Sequence, residues 1–160
     1  MIDTILSLLS KEAIVLCTAM LPVLELRGAI PLGISMGMSP WHATLLGILG
    51  STLPVPFILI FLRPILKLFY RTSFGSKIAD RITNHIRRND SKIKKYRTFG
   101  LFVFVAIPIP GTGAWTGAGI AALLEIRIRD AMLTVFFGNC VAALIMMVLS
   151  GTVVGLFSYI

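Results

Sequence analysis

The segment Leu24–Pro31, LELRGAIP, places a carboxylate (Glu25) and a guanidinium (Arg27) two residues apart in a run that is otherwise almost free of charge. From Ala13 to Leu62 the only other ionisable side chains are Cys17 and His42. A charge taken out of water alone is costly, so each of the two needs a partner, and ionisable residues at membrane depth are functional candidates by default. Glu25 is the candidate for a carboxylate that gains and loses a proton or a cation. Arg27 is the candidate for gripping an anionic group or for holding the charge state of Glu25. Residues two apart on a helix do not face each other, so the pair would meet only where the helix is unwound. The competing reading is a charge pair that merely pins a chain reversal.

A second stretch, PIPGTGAWTG at 108–117, offers chemistry without charge. Pro108, Pro110, Gly111 and Gly113 cannot continue a regular helix. The break would free backbone carbonyls, and Thr112 and Thr116 add hydroxyls that could coordinate a polar group. Trp115 could line a cavity or contact an organic cation, or it could anchor at the membrane interface. Gly113 and Gly117 also have a helix-packing spacing. In the first stretch Pro22 and Pro31 bracket the charged pair. Ser51 and Asn139 are polar residues within apolar runs and are predicted to hydrogen-bond towards the breaks or between helices. Cys17 and Cys140 lack metal-ligand spacing and read as small packing residues. No metal or cofactor is expected, and no nucleophile–base pair points to an enzyme.

The elements that must hold these residues follow from composition. The chain of 160 residues is 56% hydrophobic and 14% charged, against about 25% charged in a soluble domain. It reads as one all-α integral membrane domain, with no cleavable signal peptide at Met1-Ile2-Asp3. Residues 1–12 fit an interfacial segment. Residues 13–39 are too interrupted to span, since about 20 apolar residues are needed. They read as a re-entrant hairpin broken by Gly28, Pro31, Gly33, Gly37 and Pro40. Residues 41–66 form a transmembrane helix kinked by Pro54 and Pro56. Residues 99–124 form a second re-entrant hairpin, and 131–157 a second transmembrane helix.

Of the fifteen Lys and Arg, ten lie between Lys67 and Arg97. This basic linker, 67–98, is predicted to be a cytoplasmic helical loop by the positive-inside rule and to favour anionic headgroups. The absence of aromatic-interleaved basic motifs argues against a nucleic-acid partner. The order of features repeats: Pro22, Ala43, Leu45, Gly50 and Ser51 align with Pro110, Ala131, Leu133, Gly138 and Asn139. With the loop inside, the two halves are inverted, the pattern of many secondary transporters.

The motifs LPVLELRGAIPLGISMGMSP and PIPGTGAWTGAGIAALL resemble the small multidrug export protein family of bacterial and archaeal membrane proteins, over nearly the whole chain. The chain is more distantly similar to the DedA family, whose Pro-Gly-rich re-entrant segments face each other and which is associated with lipid transport. The resemblance implies a cytoplasmic-membrane location and singles out Glu25, Arg27 and Pro31 in the first hairpin, and Pro108, Pro110, Gly111, Gly113 and Gly117 in the second. The second motif lacks the arginine that DedA proteins carry near their Pro-Gly element.

The leading expectation is a secondary transporter of a small organic or ionic solute, proton- or ion-coupled, with its site between the hairpins. A homodimer is expected, because one protomer has few spanning helices to enclose a path. The alternatives are a lipid flippase or scramblase, and a membrane scaffold that transports nothing.

Overall fold

A computed structural model describes residues 2–70 and 90–157 of the chain, with side chains for 10–66, 68 and 96–152. Most of the basic linker expected at 67–98 lies outside the described residues. Those described form seven helices and no strand: α1 (Ile2–Met20), α2 (Glu25–Ser35), α3 (Pro40–Thr52), α4 (Val55–Tyr70), α5 (Asp90–Ala106), α6 (Ala114–Leu123) and α7 (Ile128–Phe157).

Two spans are long and apolar enough to cross a membrane, Pro40–Leu66 (α3 with α4) and Ile128–Thr152 (α7). Leu53 and Pro54 separate α3 from α4, as expected where Pro54 and Pro56 supply no N–H to the preceding turn. Both spans turn large apolar side chains outward: Phe61 is 65% exposed and Leu133 57%. Such surface suits lipid rather than water. The spans run antiparallel, because Arg63, near the end of the first, donates to the Ile126 carbonyl in the turn that opens the second.

The helices outside the two spans pack in two clusters. Val15 and Ala19 of α1, Leu26 and Ile30 of α2 and Ala43 of α3 bury against Ala142 and Ala143, midway along α7. Leu101 and Val105 of α5, Ala118 and Ala121 of α6 and Val135, early in α7, bury against Val55 and Leu59 of α4. α1 and α2 thus pack on α3 and the middle of α7, and α5 and α6 on α4 and the first part of α7. Glycine sets the closest approaches. A Cβ at Gly50 would meet Ala19 Cβ at 2.6 Å and Leu16 O at 2.7 Å, and one at Gly138 would meet Val105 Cβ at 2.8 Å.

The first break falls earlier than its glycines and prolines suggest. The helix stops at Leu21–Leu24, and α2 then runs through Gly28, Pro31 and Gly33. Gly33 serves packing instead: a Cβ there would meet Ala43 Cβ at 2.9 Å and Val15 Cγ2 at 3.1 Å. Nor does the chain pause between an interfacial segment and the first arm. α1 is continuous through Lys11 and Glu12, which have no helix breaker beside them. Both find partners in the α2–α3 region: Lys11 Nζ donates to Met36 O (2.8 Å), and Glu12 Oε1 lies 3.1 Å from His42 Nε2.

The turns leading into the two spans share one backbone pattern, a left-handed cap that satisfies the last helical carbonyls. Met36, Gly37 and Met38 donate to Leu32, Ile34 and Gly33; Leu124, Glu125 and Ile126 donate to Ile120, Ala122 and Ala121. Gly37 has φ 83° and Glu125 φ 53°. Arg97 Nη1 donates to Leu124 O (3.4 Å) as Lys11 does to Met36 O. The second set lies 88 positions after the first, the separation of Ser51 from Asn139, which meet across the spans with Asn139 Nδ2 3.1 Å from Ser51 Oγ.

Candidate functional site

Glu25 opens α2 in the left-handed region, φ 47°, an uncommon conformation for a residue with a side chain. That local reversal lets it face Arg27 despite the two-residue spacing: Arg27 Nη1 donates to Glu25 Oε2 at 2.9 Å. Glu25 is only 5% exposed. Its other oxygen, Oε1, accepts from the backbone N–H of Trp115 at 3.0 Å. Trp115 lies in the first turn of α6, so the carboxylate caps that helix from another part of the chain, at the end where N–H groups lack partners and negative charge is favoured.

Arg27 serves the opposite end of the same break. α5 finishes at Ala106, and the Ile109 N–H that could have continued the ladder to Val105 donates instead to Ile107 O at 2.9 Å. Arg27 Nη2 donates to Val105 O and Ile107 O, both at 3.2 Å, and to the Thr112 carbonyl. A guanidinium at carbonyl ends is the complementary placement. The two charges of LELRG are therefore set onto the two facing ends of a split helix, anion to amide end and cation to carbonyl end. This arrangement is the physical reason for having both, two residues apart, in an apolar run.

The break is shaped to receive them. Gly111 takes φ 88°. Thr112 Oγ1 donates within the loop towards Ile107 O (2.7 Å) or Ile109 O (2.9 Å). Thr116 Oγ1 accepts from the Gly113 N–H at 2.8 Å. A Cβ at Gly113 would occupy the position of the Glu25 carboxyl group, so only glycine leaves room for it. Trp115 Nε1 donates to Met20 O at 3.1 Å, tying α6 to the end of α1.

Of the residues singled out by sequence, Glu25, Arg27, Thr112, Gly113 and Trp115 come together here. Thr116 stands one step behind them. Gly117 faces α5 instead, where a Cβ would meet Val105 Cγ2 at 2.6 Å, a packing position. Pro22 is exposed in the α1–α2 turn, Pro31 lies within α2, and Pro108, Pro110 and Gly111 form the outer side of the break. The breaks touch directly, and the guanidinium fills the space between them. Ser51 and Asn139 bond to each other rather than to the breaks. Sequence reasoning missed the carbonyls of Met20, Val105 and Ile107. The available signal was that Pro108 and Pro110 end the helix near Ala106, and the last carbonyls of any helix lack intrahelical donors; the Met20 carbonyl had no such signal.

No curated protein and no solved structure matches the chain. The family model described as "Putative small multi-drug export protein" matches residues 25–145, from the left-handed glutamate through the α5–α6 break and into the second half of α7, and the chain belongs to that family.

Proposed function

We propose that the protein is a small secondary transporter whose coupling group is Glu25. The observation that carries this reading is the Glu25–Arg27 pair bridging the two ends of the split α5–α6 helix. Arg27 is the charged side chain bonded to Glu25; the other contacts to the carboxyl group come from the Trp115 N–H and from Gly113. A proton or cation on the carboxylate weakens its hold on both Arg27 and the first turn of α6. The contact between the two breaks then has two states, biased by whatever occupies Glu25. The cargo is a small organic or ionic solute admitted where the breaks part.

The same reading takes the chain as two inverted repeats, each a re-entrant hairpin followed by a spanning helix, with the basic linker cytoplasmic. The matching turns 88 residues apart, the antiparallel spans and the exchange of packing partners support it. So do two contacts between residues 88 apart, Glu25 on Gly113 and Ser51 on Asn139, as expected near a two-fold axis. A homodimer would supply the remaining wall of the path.

The test is flux into proteoliposomes under an imposed pH gradient, with ethidium as the organic-cation probe and a trapped pH dye. Intact protein is expected to exchange protons for the cation. Glu25→Gln keeps the shape and an acceptor for Trp115 but not the charge, and should lose the gradient response while remaining folded. Gradient-driven flux equal to that of the intact protein in Glu25→Gln would sink the reading. Movement of labelled lipid with no gradient response would replace it with a scramblase.

A further inference from the structure

The end of the molecule remote from the α2–α3 turn carries a second arginine constellation, separate from Arg27. The turn between α6 and α7 brings Arg127 and Arg129 beside Arg63 of α4 around a cavity of about 410 Å³, which Ile128, Asp130 and Leu133 complete. Three guanidinium groups face one carboxylate, a local excess of two positive charges. Arg63 is held in place by its bond to the Ile126 carbonyl, and its Nε is buried without a partner. Arg127 and Arg129 are exposed and free to close on a ligand. Leu133, among the outward-facing side chains of α7, gives the cavity an apolar edge.

We propose that this cavity is a fixed binding site for the phosphate of an anionic glycerophospholipid. Guanidinium groups recognise phosphate oxygens through paired charge-assisted hydrogen bonds. Basic pockets between spanning helices are suited to lipid headgroups. Depth agrees with that occupant, on the membrane placement proposed above. Arg63 and Arg127 each stand twelve residues from the Ser51–Asn139 contact, about 18 Å along a helix at 1.5 Å per residue. With that contact at mid-membrane, both lie just beyond the roughly 15 Å half-thickness of the hydrocarbon, at the level of lipid phosphates. A free phosphate would find the arginines but leave Leu133 without an apolar partner. An acyl chain running down the outward face of α7 covers it. The site is distinct from the diffuse attraction expected of the basic linker, because it uses none of the ten basic residues at 67–97.

Native mass spectrometry of the full chain released from mixed phosphatidylglycerol–phosphatidylcholine bilayers tests this without reference to transport. The intact protein should retain one phosphatidylglycerol in preference to phosphatidylcholine. Arg127→Gln and Arg129→Gln, both at exposed positions that leave the fold intact, should each lower that preference by about fivefold. Arg87→Gln with Arg88→Gln, in the linker, should leave it unchanged. Retention unaffected by the first pair, or lost equally with the second, overturns the proposal. Inorganic phosphate titrated into delipidated protein should give no saturable binding. Saturable binding that disappears in the Arg127→Gln, Arg129→Gln double variant would make a soluble anion the occupant and overturn the lipid assignment.

Discussion

Gly113→Ala isolates the interlock between the two breaks. The backbone at Gly113 has φ −129°, which alanine adopts without strain, so the cost comes from the methyl group alone. That methyl would land on the Glu25 carboxyl group. The carboxylate must leave the amide end of α6, abandoning the Trp115 N–H and its bond to Arg27. Removing one partner of a buried ion pair costs about 3–5 kcal/mol. Taking about 3 kcal/mol and roughly 2–4 °C per kcal/mol for a chain of this size, the midpoint of thermal unfolding in detergent should fall by about 6–12 °C. A double-mutant cycle with Glu25→Ala separates this mechanism from a general loss of helix capping. With the carboxyl group already gone, its three atoms nearest the new methyl are removed, and Gly113→Ala should cost under about 1 kcal/mol, the usual penalty of alanine at a helix N-cap. Equal costs in both backgrounds would refute the argument, since the methyl would then be colliding with something other than Glu25.

The remaining expectations concern packing and topology. Gly138→Ala pushes a methyl against Val105 and should destabilise by about 1–3 kcal/mol, checked by thermal unfolding; a Val105→Ala background should relieve only part of it, because the Cβ of residue 105 and the Phe102 carbonyl stay in place. Trp115→Phe removes the indole donor to Met20 O and should cost about 1 kcal/mol, whereas no loss would mean that this bond does not hold α6 to α1. In a Cys17→Ser, Cys140→Ser background, Ser39→Cys and Glu125→Cys should react with an impermeant thiol reagent from opposite sides of intact vesicles. Labelling of both from one side would rule out inverted repeats. Asn139→Leu breaks the Ser51 contact and should cost only about 0.6 kcal/mol, the average for such bonds in membranes, by the same unfolding measurement.

Much was legible in the chain by itself. Few charges and long apolar runs require lipid-facing helices, and the two spans begin and end close to where charge and proline mark them. A carboxylate and a guanidinium inside such a run must be partnered, and Pro108 to Gly113 must interrupt a helix. These conclusions rest on local properties: hydropathy, missing N–H groups and the cost of an unpaired charge. Where the first helix breaks was not local. Gly28, Pro31 and Gly33 read as breakers, yet α2 runs through all three, with Gly33 packed closely on Ala43 of α3, and the reversal falls at Leu21–Leu24. The partners of the charged pair were equally hidden. Spacing along a helix reports neighbours within about four residues, whereas Glu25 meets Trp115 at a separation of 90 and Arg27 meets Val105 at 78. Trp115 reads from the sequence as a cavity-lining or cation-contacting residue or as an interfacial anchor, whereas in the structure its backbone N–H and its indole join both ends of the first reversal. Only packing of one half against the other brings a split helix to the two charges, and with it the reason that position 113 is glycine.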